Sequence, residues 1–302
     1  MERTDSPGWT RVALLAVAAM VPAAVAAARI EDVAPGARDT ALPRLLALEP
    51  RAWRALDTAI EILLQAVPLG TREARAAAGG ALVAGAAGAL LAASARSLLA
   101  ACAPTRTLGN VVSTLVALLA VAAPAWQTEC SAPGGSAVGS LLVLAPVALL
   151  LAAPAGEAQA THSSDRLGAI KATLFAIGLA LGYEPAVGVT ALLGAMAFAA
   201  FDPPTRRALA SSRPHSASMV AVLGVSLLPW CLGLARTRAA GVPLRQALDG
   251  WAFEGLTPAV PLPAATPWGQ LGGATLLFAG AGLLLAMRAP RARPAAAGLV
   301  AV

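Results

Sequence analysis

The sequence predicts an all-α polytopic membrane protein with about eight transmembrane helices. Three observations carry that expectation: the chain is 58% hydrophobic and only 13% charged, its mean hydropathy is +0.71, and apolar runs near membrane-spanning length recur along its 302 residues. Soluble domains carry about 25% charged residues, and so few charges would leave a soluble surface of this size uncovered. The apolar runs are continuous, without the period-two alternation of a transmembrane barrel. Each approaches the ~20 residues that cross a hydrocarbon core of about 30 Å as a helix.

Taken in order, the spans fall at about 12–28, 78–101, 109–125, 138–155, 168–182, 186–201, 218–235 and 270–287, within a single membrane domain over 1–302. The first has two readings. Arg3 and Arg11, the run after them and the small residues Ala26–Ala28 describe either a retained helix or a cleaved signal peptide. Both put the following loop outside. Short-loop arginines, including Arg96, Arg106, Arg166, Arg206, Arg207 and Arg213, then fall on the cytoplasmic side with both termini. The outer loops at 126–137 and 183–185 hold no Lys or Arg. The expected location is a membrane of this orientation, taken as a bacterial inner membrane. The formal charge of +6 collects at the ends of apolar runs, which is topological anchoring and argues against a nucleic-acid partner.

Pro22, Pro146 and Pro229 fall inside spans, where neighbouring helices can compensate the lost hydrogen bond. The Gly/Ala run from Gly79, including Gly85, is a helix-packing surface. It is no phosphate loop, since the lysine and preceding strand are missing. Cys102, Cys130 and Cys231 lack metal-ligand spacing, so no metal is expected, and Cys102 and Cys231 read as small buried hydrophobes.

The first extracytoplasmic loop, 29–76, is where charge concentrates: between Arg29 and Arg75 it holds seven arginines and seven acids. From 51 to 67, Trp53, Leu56, Ile60, Leu63, Leu64 and Val67 recur at helical spacing with charges on the other face, a juxtamembrane amphipathic helix. The last outer loop, 236–269, carries Leu244, Leu248 and Trp251 at helical spacing and then a proline-rich stretch, with Trp251, Phe253 and Trp268 as interfacial anchors.

No acid stands at the centre of a span, which counts against an ion-coupled transporter. Candidate chemistry therefore lies at the outer face. Glu31, Asp32, Asp39 and Glu49 in the first loop, Glu129 in the second and Glu184 in the third are outer acids, any of which could serve as a general base, and Arg29, Arg38 or Arg44 could grip a phosphate. A solvated loop with balanced charges is the plainer account of the same residues.

Three short stretches, in order, add a resemblance. They are Leu64-Gln-Ala-Val-Pro-Leu-Gly-Thr-Arg-Glu-Ala-Arg through Leu82, Ala123-Pro-Ala-Trp-Gln, and Phe175-Ala-Ile-Gly-Leu-Ala-Leu-Gly-Tyr-Glu-Pro. Together with a long outer loop after the first helix, they resemble the protein O-mannosyltransferase-like membrane family of the GT-C glycosyltransferase superfamily. The resemblance covers about residues 35–200. It implies transfer of a sugar from a polyprenyl-phosphate donor to an acceptor hydroxyl on the outer face, without a cofactor. Asp39 matches the family's loop acid, and the resemblance thereby makes it the candidate general base, but Thr40-Ala41-Leu42 follow where Ser-Gly-Glu is usual, and Glu49-Pro50-Arg51-Ala52 replace His-Pro-Pro-Gly. An inactive relative is thus an alternative, beside a non-catalytic subunit with membrane-protein partners and a transporter or flippase.

Overall fold

In the computed structural model the described residues are 72–99, 105–121, 137–153 and 161–253, with isolated positions at 56, 60, 63, 66, 68, 293, 294 and 297. Among them the fold is all-helical. Nine α-helices follow in order: α1 (Arg72–Leu99), α2 (Arg106–Val121), α3 (Ala137–Ala152), α4 (Thr161–Tyr183), α5 (Pro185–Phe201), α6 (Pro203–Ser211), α7 (Ser216–Ser226), α8 (Leu228–Ala239) and α9 (Leu244–Phe253). A 3-10 turn over Arg213–His215 links α6 to α7.

α3 and α4 form the centre. α3 packs on α1, α4 and α5, while α4 also packs on α6, α7 and α8. The core cluster joins Val83 and Ala84 of α1, Leu142, Val147 and Leu150 of α3, Ile170, Ile177 and Ala180 of α4, and Ala191, Ala195 and Phe198 of α5. Leu56 and Ile60 are helical and pack against this cluster, whereas Leu63 is exposed. The apolar stripe of the expected surface helix is therefore split between the bundle and the outside.

On α2 and α5 the distribution of small and large residues is inverted relative to a water-soluble bundle. α5 buries Gly188, Ala191, Gly194, Ala195 and Phe198 and turns Val189, Leu192, Leu193 and Met196 outward. α2 repeats the pattern: Gly109, Ser113 and Ala117 are buried, and Leu108, Val111, Leu115 and Leu119 are exposed. Small inward residues let helix backbones approach closely, and the larger side chains then have no room inside. Several buried hydroxyls are satisfied within their own helices, as Ser113 and Thr114 donate to the Asn110 carbonyl at 2.9 Å and Thr237 to Gly233 at 2.8 Å.

Among the described residues α4 alone is a single helix long and apolar enough to cross a membrane, over Arg166–Tyr183. Two bent pairs, α5 with α6 at 102° and α7 with α8 at 47°, raise the count to three if each is one span. α1, α2 and α3 contribute shorter apolar stretches, Leu82–Ser97, Thr107–Leu119 and Val138–Ala152. The spans expected at 12–28 and 270–287 lie outside the described residues.

Several expectations shift in position. α1 begins at Arg72, so the end of the 29–76 loop is already helix. Pro146 sits inside a continuous α3, but the 218–235 span breaks at Leu227, with Pro229 in the first turn of α8. Proline lacks the N–H and clashes with the preceding turn, so the chain restarts a helix there. α8 continues through Arg236 and Arg238, residues expected in the last loop. Cys231 is exposed, not buried, because it faces outward from α8. Cys102 and Cys130 lie outside the described residues.

Two glycines set helix contacts. A Cβ on Gly178 would overlap the Ser226 hydroxyl and stand 2.8 Å from its Cβ, so α4 and α7 cross there almost backbone to backbone. A Cβ on Gly188 would meet the Leu181 Cα at 2.5 Å, where the chain doubles back between α4 and α5. Gly178→Ala should destabilise the protein by about 1–3 kcal/mol through overpacking, and Ser226→Gly in the same chain should restore part of the loss. Thermal unfolding of the three purified proteins measures both effects; an unchanged midpoint for Gly178→Ala would show that the crossing is not tight.

Candidate functional site

The two ends of α4 hold the polar features of the bundle. At its C-terminal end lies Glu184, in the one-residue link between α4 and α5. Its backbone is extended (φ −161°, ψ 130°), its N–H donates to the Ala180 carbonyl at 2.9 Å, and its carbonyl accepts from Gly188 N–H at 3.0 Å. Pro185 then starts α5 with a preset φ and no N–H to satisfy. The side chain does not cap the new helix. Glu184 is 9% exposed and its neighbour Tyr183 is 4% exposed, so the acid is built into the bundle end rather than standing in a solvated turn.

Beside it opens a shallow surface cleft with room for about one water molecule. Leu56, Leu179, Gly182, Tyr183, Pro229 and Trp230 line it, with the Ser226 hydroxyl at its wall. Trp230 packs on Trp251 with ring centroids 5.2 Å apart and planes tilted by 53°. Trp251, expected as an interfacial anchor, therefore packs beside the cleft. This tilted geometry suits aromatic pairs, whose ring quadrupoles repel in a face-to-face stack. Glu184 adjoins the cleft through Tyr183 but is not one of its lining residues.

At the other end of α4, Arg166 is 6% exposed and uses every donor of its guanidinium. Nε donates to Thr205 Oγ1 at 3.0 Å, Nη1 to the carbonyls of Leu150 at 3.4 Å and Ala153 at 3.1 Å, and Nη2 to Thr205 Oγ1 at 2.7 Å and to Asp202 Oδ2. The network closes on itself. Thr205 Oγ1 accepts twice from Arg166 and donates to Asp202 Oδ2 at 2.5 Å, while Thr205 N–H donates to the same oxygen at 3.0 Å. Asp202 is the N-cap of α6 and Arg166 caps the free carbonyls at the end of α3, so both charges also suit the helix dipoles.

Such a network leaves no free guanidinium donor for a ligand. It is a structural joint that ties α3, α4 and the α5–α6 corner. Sequence reasoning placed Arg166 as a topological anchor and did not single out Asp202 or Thr205. A signal was present: Asp202-Pro203-Pro204-Thr205 is an N-cap acid followed by first-turn prolines.

Of the sequence-derived candidates, Glu184 is placed as described. Asp39, Arg29, Arg38, Arg44 and Glu129 lie outside the described residues, so the geometry tests no grouping of them. Comparison with protein-family models, with curated proteins and with solved structures yields no match to this chain.

Removing one partner of a buried pair strands a desolvated charge, a loss of about 3–5 kcal/mol. Asp202→Ala should therefore destabilise by that amount. The double variant Arg166→Met/Asp202→Ala should lose much less than the two single losses added, since contacting residues couple. Denaturation midpoints of the four proteins form the cycle, and strict additivity would rule out the joint.

Proposed function

We propose that this chain is an integral membrane protein of GT-C type, with about eight spans, acting as a glycosyltransferase that draws a sugar from a polyprenyl-phosphate donor at the outer face. The observation that carries the membrane part is the inverted packing: Gly, Ala and small hydroxyl residues inside, and Leu, Val, Met and Phe outside on α2 and α5. A large contiguous apolar exterior has no place in water and is what lipid tails cover. The class of reaction rests on the resemblance of the stretches from Leu64, Ala123 and Phe175.

In this reading Asp39 takes the proton of the acceptor hydroxyl as that oxygen attacks the anomeric carbon. The C–O bond to phosphate breaks, and Arg29, Arg38 or Arg44 steadies the departing lipid phosphate. Glu129 and Glu184 belong to the same outer face and orient the sugar. With Glu184 outside, Arg166, Arg206 and Arg207 fall on the cytoplasmic side, in accord with the bias of short loops. No cofactor or metal is invoked.

A second reading is a non-catalytic assembly subunit. Leu108, Val111, Leu115 and Leu119 recur at helical spacing along the exposed face of α2, and a partner helix would bury that stripe as well as lipid does.

Membranes bearing the full chain separate these readings. The protein should resist alkaline carbonate extraction, and Asp39→Asn should abolish transfer from a labelled polyprenyl-phosphate sugar while leaving the protein in the membrane. Undiminished transfer by Asp39→Asn removes that residue from the mechanism. Full membrane retention without lipid-sugar binding favours the assembly subunit.

A further inference from the structure

We infer that α6 is an interfacial helix whose Arg206 and Arg207 hold the phosphates of anionic lipid headgroups. This rests on the membrane reading above and is independent of the reaction assigned to the chain. α5 turns Val189, Leu192, Leu193, Met196 and finally Phe201 outward, and the chain then bends by 102° into α6. A helix at nearly a right angle to a span, starting where the apolar face stops, runs along the headgroup layer.

The two faces of α6 divide accordingly. Thr205 is buried in the Arg166 joint and Ala208 packs on the core cluster, while Arg206, Arg207, Leu209 and Ala210 are exposed. Neither Arg206 nor Arg207 has an ion-pair partner among the described residues. The nearest acid in sequence, Asp202, is already bound by Arg166. No Asp or Glu occurs from 203 to 248, so the positive charge of α6 and of Arg213 just beyond it meets no compensating acid along the chain.

Arginine suits this task because its planar fork grips phosphate oxygens in pairs, and its long aliphatic stem lies along apolar surface while the head reaches the interface. The five-bond joint beneath holds α6 in place before lipid arrives, so little ordering remains to oppose binding. Leu209, exposed one turn from Arg206, meets the acyl boundary. A free phosphate ion would have no use for that apolar neighbour, and the helix lies against the apolar belt; the occupant is a lipid headgroup.

The full chain, purified in neutral detergent, is titrated with phosphatidylglycerol, phosphatidylcholine or inorganic phosphate while its thermal midpoint is followed. Phosphatidylglycerol should raise the midpoint and the other two should not. Each arginine near an anionic surface contributes about 5-fold in affinity, so Arg206→Gln/Arg207→Gln should weaken phosphatidylglycerol roughly 25-fold. Arg206→Lys/Arg207→Lys, which keeps both charges, should retain most of it. Equal response to phosphatidylglycerol and phosphatidylcholine, or wild-type response in the Gln variant, overturns the inference. Equal stabilisation by inorganic phosphate overturns it as well, assigning a free-anion site. Carbonate extraction of the wild-type chain from membranes is the separate arm: release would sink the membrane reading itself, whereas retention with no lipid preference sinks only this inference.

Discussion

A guanidinium taken out of water must be met on every side, and Arg166 of α4 is met by two other pieces of chain. The idealised cost of burying an ion is large, and in proteins it is still several kcal/mol after relaxation. Five hydrogen bonds and one carboxylate offset it here, and they do so only if the end of α3, the start of α4 and the α5–α6 corner stand in one arrangement. Apolar packing is tolerant of small slides between helices, but this joint is not. It fixes which way α6 leaves α5 and therefore which residues of α6 face outward.

The rest of the bundle is held by close approach of small side chains. Gly178 against Ser226 and Gly188 against Leu181 set helix separations that no larger residue would permit. Dispersion across these close crossings adds to the packing of Leu142, Val147, Leu150, Ile170, Ile177 and Phe198 in the core, and each contact is weak while their sum is large. On α2 and α5 the larger Leu, Val and Met side chains accordingly turn outward. That arrangement supports the proposed bilayer setting better than any length criterion applied to single helices, because α1, α2 and α3 are apolar along shorter stretches.

α4 joins the two polar ends. Its Arg166–Tyr183 stretch of 18 residues rises about 27 Å at 1.5 Å per residue, with a saturated ionic joint below and the buried Glu184 beside an aromatic-walled cleft above. The contrast in chemistry is informative. The joint consumes its polar groups inside the fold, whereas the cleft brings Tyr183, Trp230 and the neighbouring Trp251 to a surface open at its mouth. Of the six residues put forward from the sequence as site residues, Glu184 alone is described, and it adjoins that cleft rather than lining it.

Helical type and the approximate positions of six apolar segments were legible from composition and from runs of Ala, Leu and Val, because a long unbroken apolar run has few alternatives to a helix. The helix at Leu244–Phe253 was legible from the helical spacing of Leu244, Leu248 and Trp251. Other features were decided by tertiary contacts. Pro146 and Pro229 are alike in sequence, yet one lies in a continuous helix and the other begins a new one, since neighbouring helices determine whether a missing hydrogen bond is tolerated. Arg166 reads as one more basic residue at the end of an apolar run. Its pairing with Asp202, 36 positions away, exists only because the fold brings the end of α3 and the α5–α6 corner around it. Local pattern thus determined what each segment is, and only packing decided which charged groups became part of the interior.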